Sequence, residues 1–420
     1  MNTRAIHGLS MFELRWQAFS LFAICALAVS VSLGSALVGL SKVLVLLAVV
    51  GRARLDGWSG FKTWFRQAPA PVWIILCALC WVGLSGLWTV ADMPEARAAF
   101  FRHARLIWLV AVLYLIRRPV QAWTVLTWLA VGQAAVVLLS WLMWAGLPIP
   151  FATADTPPEM GILFTSTLEQ PVMGALLVAL LWWFRGRWAR MGPALWCPVL
   201  IFLTTANIFL VMSGRTGYLV MLALAVLAFW RASPRKVRVL AALIPLAVAI
   251  GLFQWWPRFH DRVMAVQQNV ARYQQGAVDT SQAIRLEMWR VAVEAARDKP
   301  WLGHGVGSYP TLYKHYEGRD PKGASNPHQQ YLFWLAEFGL PGLGFLLAFL
   351  IALLRHARRL PEDASGALAS AVMIASVMSL ANCPFYGVGM GEFLLLMMAA
   401  LMAMQAAGAG GSVVSQEVMA

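Results

Sequence analysis

Residues 71–90 read PVWIILCALCWVGLSGLWTV, a run of twenty residues without one charged side chain. An α-helix needs about 20 apolar residues to cross the hydrocarbon core of a bilayer, so this run predicts a transmembrane helix. The whole chain has the same character, because 60% of its 420 residues are hydrophobic and only 12% are charged. A soluble globular protein is about 25% charged. The composition therefore excludes an ordinary soluble enzyme.

Twelve segments are long and apolar enough to be transmembrane helices: residues 17–33, 35–50, 71–90, 99–116, 120–146, 166–184, 194–212, 214–230, 237–256, 330–354, 365–382 and 389–407. The first lacks a small-residue cleavage site, so we expect a retained helix rather than a signal peptide. We predict an all-α polytopic membrane protein with about twelve transmembrane helices. Its parts would be nine helices in residues 1–256, one large, partly helical outer loop at 257–329, three helices in 330–407 and a flexible tail at 408–420.

The net charge of +14 comes from 33 Lys and Arg against 19 Asp and Glu. In a soluble protein such an excess could indicate nucleic-acid binding, but in membrane proteins Lys and Arg collect in the cytoplasmic connections. With the N-terminus in the cytoplasm, eighteen basic residues fall in short cytoplasmic segments and five in short outer ones, and ten lie in the long loop. Long loops are largely exempt from this bias. The charge thus predicts topology rather than nucleic-acid binding, and the long loop faces outward.

Neither the cysteines nor the loop histidines indicate a metal site. Four of the five cysteines lie inside apolar runs, where the side chain behaves as a small hydrophobe. The histidines of the long loop do not have the spacing of zinc ligands. We therefore expect no metal.

Within the long loop, SQAIRLEMWRVAVEAARDKP at residues 281–300 predicts a helix capped by Ser281 and ended by Pro300. Arg285 has no acidic residue three or four positions away, which leaves its guanidinium free to bind a group outside the helix or simply to be solvated. Arg290, in contrast, has acidic neighbours at helical spacing.

Those neighbours are Glu287 and Glu294, and they predict surface ion pairs for Arg290. The loop as a whole has a net charge of only +3. Individual unpaired arginines, rather than bulk charge, are therefore the expected feature of a site there.

The next segment, WLGHGVGSYP at residues 301–310, alternates three glycines with other residues. Glycine-rich turns can bring backbone N–H groups to a phosphate. This segment lacks the strand and the Lys-Ser pair of a nucleotide-binding loop, so a tight turn is the favoured interpretation.

Two polar residues stand where the chain enters an apolar helix. His328 follows Asn326-Pro327, and an imidazole at this interface could accept a proton near neutral pH; the alternative is a histidine that caps or packs a helix start. Arg215 separates two apolar runs in VMSGRTGYLVML, at the outer end of the predicted topology. A charge there indicates a functional site by default, and contact with lipid headgroups is the alternative.

Arg102, His103 and Arg105 form a second basic group near an outer membrane end. An interfacial anchor or a contact with lipid phosphate is the favoured interpretation. Glu337 lies about two and a half helical turns after His328, and a structural role is favoured for it.

His328 and Gln329, followed by nine residues and then by Gly339 and Gly342, resemble a signature of the O-antigen ligase and O-antigen polymerase superfamily. The upstream segments SGRTGYLVML and RLEMWRVAVEAARDKPWLGHGVGSYPTLY resemble the same family domain. The resemblance extends over residues 204–354 at the level of motifs.

This resemblance implies a membrane enzyme with a glycosyltransferase C-like architecture. Such ligases transfer a glycan from undecaprenyl diphosphate to a hydroxyl of the lipid A core oligosaccharide, on the periplasmic face of the Gram-negative inner membrane, and so complete lipopolysaccharide. The transfer is expected to invert the anomeric centre without a metal or nucleotide cofactor. Membrane lipids are expected partners and nucleic acid is not.

The resemblance also implies roles for individual residues. Arg215 and Arg285 would bind the diphosphate and take part in catalysis, with His328 as the general base. Secondary candidates are Arg290, Gln329, Arg102 and Arg105.

Three alternatives remain open. An O-antigen polymerase and a protein O-oligosaccharyltransferase would use the same donor, and the single late loop favours the ligase. A transporter of lipid-linked glycan would be expected to show charged or broken helices near the bilayer midplane and two related halves. The sequence leaves open the sugar repeat, the acceptor hydroxyl, the lipid A contacts and the oligomeric state.

Overall fold

The computed structural model describes residues 11–149, 157–193, 195–212, 214–275, 280–317 and 325–404, so the predicted tail at 408–420 lies outside the described residues. Within them the chain forms seventeen α-helices and no β-strand. These are α1 (Met11–Leu33), α2 (Ser35–Gln67), α3 (Ala70–Leu84), α4 (Met93–His103), α5 (Ile107–Leu115), α6 (Pro119–Trp144), α7 (Glu169–Trp183), α8 (Arg185–Trp188), α9 (Trp196–Ala206), α10 (Arg215–Ala232), α11 (Arg238–Trp255), α12 (Pro257–Gln274), α13 (Ser281–Asp298), α14 (Tyr309–Glu317), α15 (Gln330–Ala357), α16 (Glu362–Met378) and α17 (Met390–Met402).

Eight helical segments of the described chain are long and apolar enough to cross a membrane. Three further apolar helices are shorter: Glu169–Trp183, Trp196–Met212 and Met390–Met402. The all-α polytopic fold is therefore confirmed. Each of the twelve predicted segments overlaps a helix, and the number of crossings stays a prediction.

Two of the shorter helices, α7 and α17, lie at the centre of the bundle. α17 is buried along its whole length and contacts α1, α5, α6, α7 and α16. A helix surrounded by other helices is apolar on every side, which is why its sequence shows no polar face. α16 approaches α7 closely through small residues, because a Cβ added to Gly366 would lie 2.3 Å from the Trp183 ring, and Trp183 Nε1 donates to Ser370 Oγ at 2.9 Å.

α2 is much longer than the predicted 35–50. It continues to Gln67 with a break at Gly57, whose φ of 60° and ψ of 179° interrupt the helix. The part after the break carries Trp58, which is 77% exposed, together with Lys62 and Arg66. Exposed tryptophan beside basic residues is typical of a helix that lies at the membrane surface.

Several basic residues that the sequence assigns to the cytoplasmic side form ion pairs with acidic residues. Arg52 and Arg117 both pair with Asp56, and Arg187 Nε lies 2.9 Å from Asp363 Oδ2. The end of the bundle that holds these pairs is called the inner end below, and the opposite end is called the outer end.

At the outer end, α15 is broken at Gly339, which has a φ of 65° and a ψ of −165°. A break leaves carbonyl groups of the preceding turn without helical partners. The backbone N–H of His304 donates to the Ala336 carbonyl at 3.0 Å, and that of Gly305 donates to the Glu337 carbonyl at 2.8 Å. Residues 300–307, here called the clasp, thus fasten the outer loop to the break in α15.

The clasp also binds the connection between α3 and α4. The Val306 N–H donates to Ser85 Oγ at 3.1 Å, and Thr89 Oγ1 donates to the Val306 carbonyl at 2.7 Å. Gly303, Gly305 and Gly307 all have positive φ, and a Cβ on Gly305 would lie 2.3 Å from Thr89 Cα. The glycines therefore form tight turns against neighbouring backbone, as the favoured interpretation predicted.

α13 packs against α15 with an apolar face that includes Met288, Val291 and Ala295. The helix ends at Asp298, just before Pro300 as predicted. The predicted cap was wrong by one residue: Thr280 occupies the N-cap position, and its side chain accepts a hydrogen bond from the Ala283 N–H. Thr280 precedes the first helical residue, Ser281, so only Thr280 has the extended backbone that a cap requires.

Substitution of Gly339 by alanine tests the clasp. A Cβ there would lie 2.3 Å from the Trp301 carbonyl oxygen, and the positive φ adds strain. We expect a loss of about 2 kcal/mol in stability, seen as a clear fall in the melting temperature in detergent. Gly344→Ala in the same helix is the control, because nothing lies within 4 Å of its Cβ position. Equal melting temperatures for the two variants would contradict this role of Gly339.

Candidate active site

A cavity of about 690 Å³ lies at the outer end of the bundle, where α10, α13 and α16 meet. Arg215 of α10 and Arg285 of α13 are the charged residues in its lining, which also contains Trp289 and Gln282. Ala381, just after α16, and Thr167, in the segment before α7, complete the wall with their neighbours. A cavity whose described lining contains two cations and no acidic residue is suited to an anionic ligand.

Arg285 is partly buried and has no hydrogen-bond or ion-pair partner among the described residues. Burial lowers the pKa of its guanidinium, and the positive charge of Arg215 lowers it further. A buried cation beside another cation is unfavourable unless an anion neutralises them. The expectation from helical spacing, that this arginine is left without an acidic partner on its helix, is confirmed.

Arg215 is the first residue of α10 and follows a π-helical turn at Asn207–Met212. The glycines beside it allow close contact with α7, because a Cβ on Gly217 would lie 2.8 Å from Pro171 Cβ. π-helical turns occur mostly as local distortions at functional sites. The π-helical turn, Gly214 and Gly217 therefore determine where the start of α10, with Arg215, meets the cavity.

His328 lies in the turn before α15 with a φ of 52°, the one positive φ of a non-glycine residue in the described parts of the chain. Its N–H donates to Asn326 Oδ1 at 2.9 Å, and its Nδ1 lies 3.3 Å from Asn382 Oδ1. Burial lowers the pKa of the imidazole, the hydrogen bond to Asn382 opposes this shift, and the charge of Arg285 adds to it. The lowered pKa favours the neutral form of the ring, which is the form that can accept a proton.

The two arginines and His328 form one electrostatic group, although they come from three separate elements. Arg215 lowers the pKa of Arg285, and Arg285 lowers that of His328. Trp289, one turn after Arg285, donates through Nε1 to the Pro327 carbonyl at 3.0 Å. α13 is thereby hydrogen-bonded directly to the turn that carries His328.

A second cavity of about 880 Å³ adjoins the first between α10 and α11. The two share Arg215, Leu219 and Val266 in their linings, so they lie side by side. The second is lined almost entirely by apolar side chains, among them Phe209, Tyr218, Leu222, Phe229, Val248 and Leu252. The combined space has a cationic head and an apolar tail.

Arg290 and Gln329, two of the secondary candidates, have other partners. Arg290 is exposed and pairs with Glu294 at 2.8 Å and with Glu317. The predicted pairing with Glu287 was wrong, because that carboxylate is buried and accepts a hydrogen bond from the Tyr313 hydroxyl. Gln329 is the N-cap of α15, where its Oε1 accepts from the Leu332 N–H at 2.6 Å.

Arg102 and Arg105 do not line either cavity. Arg102 stacks over the Tyr386 ring at 5.3 Å, and Arg105 donates to the Tyr386 carbonyl at 2.6 Å. Arg105 Nε also lies 3.9 Å from Glu392, which pairs with Lys42. This basic group is therefore joined to the α16–α17 connection.

Glu337 is fully buried below the clasp. Its Oε1 accepts from the Tyr309 N–H at 3.2 Å, and its Oε2 lies 3.5 Å from His103 Nε2. These contacts fit the structural role favoured for Glu337. In the part of the chain that the structure describes, no group of three or more His, Cys, Asp or Glu side chains could hold a metal ion.

Two residues of the site gave no signal in the sequence. Trp289 occupies a position on α13 whose partner the helical pattern does not reveal, and Asn382 lies 54 residues after His328. The contacts of both residues depend on how α13 and α16 pack against the start of α15.

Residues 199–347 match the family model described as O-antigen ligase. The chain carries an O-antigen ligase domain. The resemblance that the motifs indicated is therefore confirmed, and the matched region contains Arg215, Arg285 and His328. No curated protein matches the chain.

The O-antigen ligase domain and the bundle of apolar helices together assign the chain to a general class. The matched region supports glycosyl transfer of the ligase or polymerase type in O-antigen and lipopolysaccharide biosynthesis, and the apolar helices support a multi-pass membrane protein. The matched region spans α9 to α15, so the domain supplies the two arginines and the histidine, whereas α16 supplies the wall behind them.

The unpaired charge of Arg285 should reduce the stability of the domain. We expect Arg285→Met, which keeps an unbranched stem and removes the charge, to raise the free energy of unfolding by about 1 kcal/mol. Arg290→Met is the control, because removal of an exposed ion pair is neutral or slightly destabilising. Thermal melts in detergent without added anion measure both. A lower melting temperature for Arg285→Met than for the unsubstituted protein would contradict this account.

Proposed function

We propose that this protein transfers O-antigen polysaccharide from undecaprenyl diphosphate to a hydroxyl of the lipid A core oligosaccharide, at the periplasmic face of the Gram-negative inner membrane. The observation that carries the proposal is that Arg215 and Arg285 line one cavity beside a second, apolar one, and that His328 lies close enough to Arg285 for its charge to act on the imidazole. The donor has a matching shape, with an anionic diphosphate between a glycan and a long hydrocarbon chain.

The two arginines would bind the donor diphosphate. When the bond between the anomeric carbon and the phosphate oxygen breaks, the electron pair goes to the diphosphate, whose negative charge grows. Guanidinium groups contact phosphate oxygens with two parallel hydrogen bonds and stabilise this charge best where water is scarce. The absence of a protein partner for Arg285 within the described residues supports this role.

The apolar cavity of about 880 Å³ would hold the first isoprene units of the carrier. Aromatic and branched side chains lie along it, and its cationic head at Arg215 is shared with the site. Burial of the hydrocarbon chain stabilises the complex without any specific polar contact. The donor would thus be held at two ends, by charge and by apolar contact.

His328 would act as the general base. The acceptor hydroxyl attacks the anomeric carbon from the side opposite the diphosphate, its proton passes to the imidazole, and the anomeric configuration inverts. A neutral ring is needed for this step, and burial together with the charge of Arg285 favours the neutral form. One displacement of this kind needs no covalent sugar–enzyme intermediate and no metal or nucleotide cofactor.

A polymerase that joins two carrier-linked repeat units, or a protein O-oligosaccharyltransferase, would use the same donor site. The direct test offers purified protein a carrier-linked glycan with three competing acceptors: lipid A core, a second carrier-linked unit and a serine-rich protein. We expect transfer to lipid A core. Transfer only to one of the other acceptors would contradict the ligase and favour that alternative. No transfer to any acceptor, with donor instead moved across a vesicle membrane, would favour a transporter.

The same assay tests the three residues. We expect Arg215→Ala, Arg285→Ala and His328→Ala each to reduce transfer by at least about 100-fold, because each removes a group that acts on the reacting atoms. Arg290→Ala is the matched control on α13, and its transfer rate should stay within about threefold of the unsubstituted protein. Wild-type transfer by any of the first three variants would remove that residue from the mechanism.

A further inference from the structure

We propose that Asn382 is a positioning residue that fixes the tautomer of His328, holding the proton on Nδ1 so that Nε2 accepts the proton of the incoming hydroxyl. The inference rests on the proposed role of His328 as base. Asn382 lies beyond the matched domain at residues 199–347, in the connection between α16 and α17.

The orientation of the Asn382 amide is fixed by a backbone donor. The N–H of Cys383 lies 2.9 Å from Asn382 Oδ1, and a backbone N–H can only donate. The atom in that position must therefore be the amide oxygen, since an NH₂ group has no acceptor capacity. This assignment does not depend on the histidine.

The same oxygen lies 3.3 Å from His328 Nδ1. An amide oxygen only accepts, so Nδ1 must be the donor and must carry a hydrogen. In a neutral imidazole the other nitrogen then has the lone pair. When Nε2 takes a proton, the contact at Nδ1 is unchanged, so the ring keeps its orientation through the reaction.

Both partners of this contact are held by backbone hydrogen bonds. The Asn382 N–H donates to the Met378 carbonyl at 2.8 Å, at the end of α16. On the other side, the Gln330 N–H donates to the Ser379 carbonyl at 2.9 Å, which joins the start of α15 to the same turn. Asn326 holds the His328 backbone in its left-handed conformation.

The groups that act electrostatically on His328 come from two elements. Arg285 on α13 is the charged one, and it lowers the pKa of the imidazole. From the α16–α17 connection come Asn382 and the buried thiol of Cys383, which contacts the backbone of His328 and Gln329. Burial raises the pKa of that thiol, so it stays uncharged. Asn382 is thus the group that orients the ring, whereas burial is the main cause that favours its neutral form and the charge of Arg285 adds to it.

Two substitutions separate positioning from packing. Asn382→Leu keeps the size of the side chain but has no acceptor, and we expect kcat to fall by at least about 10-fold with little change in the donor KM. Asn382→Asp keeps an acceptor at the same place, so it should retain most of the activity. Because a carboxylate favours the imidazolium, the acidic limb of its kcat profile should move to higher pH.

A measurement without turnover makes the test independent of the proposed function. The ¹⁵N shifts of His328, assigned by difference with His328→Ala, report which ring nitrogen carries the proton. We expect Nδ1–H in the unsubstituted protein and in Asn382→Asp, and loss of this preference in Asn382→Leu.

The possible failures are distinct. Full transfer by His328→Ala would contradict the role of His328 as general base but would not affect the tautomer result. An Nε2–H tautomer in the unsubstituted protein, or wild-type kcat and pH profile in Asn382→Leu, would overturn the positioning role. If Asn382→Leu does not fold, an unshifted acidic limb in the kcat profile of Asn382→Asp would also contradict the positioning role.

Discussion

The arrangement of the outer end depends on one unmet requirement for hydrogen bonds. α15 breaks at Gly339, and a break in a helix leaves backbone carbonyls without helical partners that lipid and apolar side chains cannot replace. The clasp supplies the N–H groups of His304 and Gly305 in their place. The clasp follows α13 directly in the chain. The hydrogen bonds from the clasp to the carbonyls of α15 therefore also hold α13, and with it Arg285, at the outer end.

Arg285 carries an electrostatic cost that its neighbours among the described residues do not compensate. Arg117 and Arg187 at the inner end have carboxylate partners, and so does Arg290 on the exposed side of α13. Arg285 has no carboxylate partner within the described residues, and the charge of Arg215 acts on it. A charge in such a state indicates a functional site, because a ligand of opposite charge stabilises it.

The sequence predicted what depends on local pattern. Runs of apolar residues gave the positions of the helices, and the three- and four-residue spacing separated Arg285 from Arg290. It did not predict features that depend on segments distant in the chain: the continuation of α2 through Gly57, the partners that the clasp glycines contact, and Asn382, which is 54 residues from His328. The sequence also missed that Arg290 pairs with Glu317 and not with Glu287, for the same reason. Glu287 is turned to a hydrogen bond with α14, which packs on α13.

The central claim is that Arg215 and Arg285 together form the site for the donor diphosphate. A cryo-EM structure of the protein in lipid nanodiscs with undecaprenyl diphosphate tests it most directly. The account predicts diphosphate density in the cavity of about 690 Å³, in contact with both guanidinium groups, and hydrocarbon density in the adjoining cavity of about 880 Å³. Diphosphate bound elsewhere, for example at Arg102 and Arg105, with the cavity between α10 and α13 empty, would contradict it.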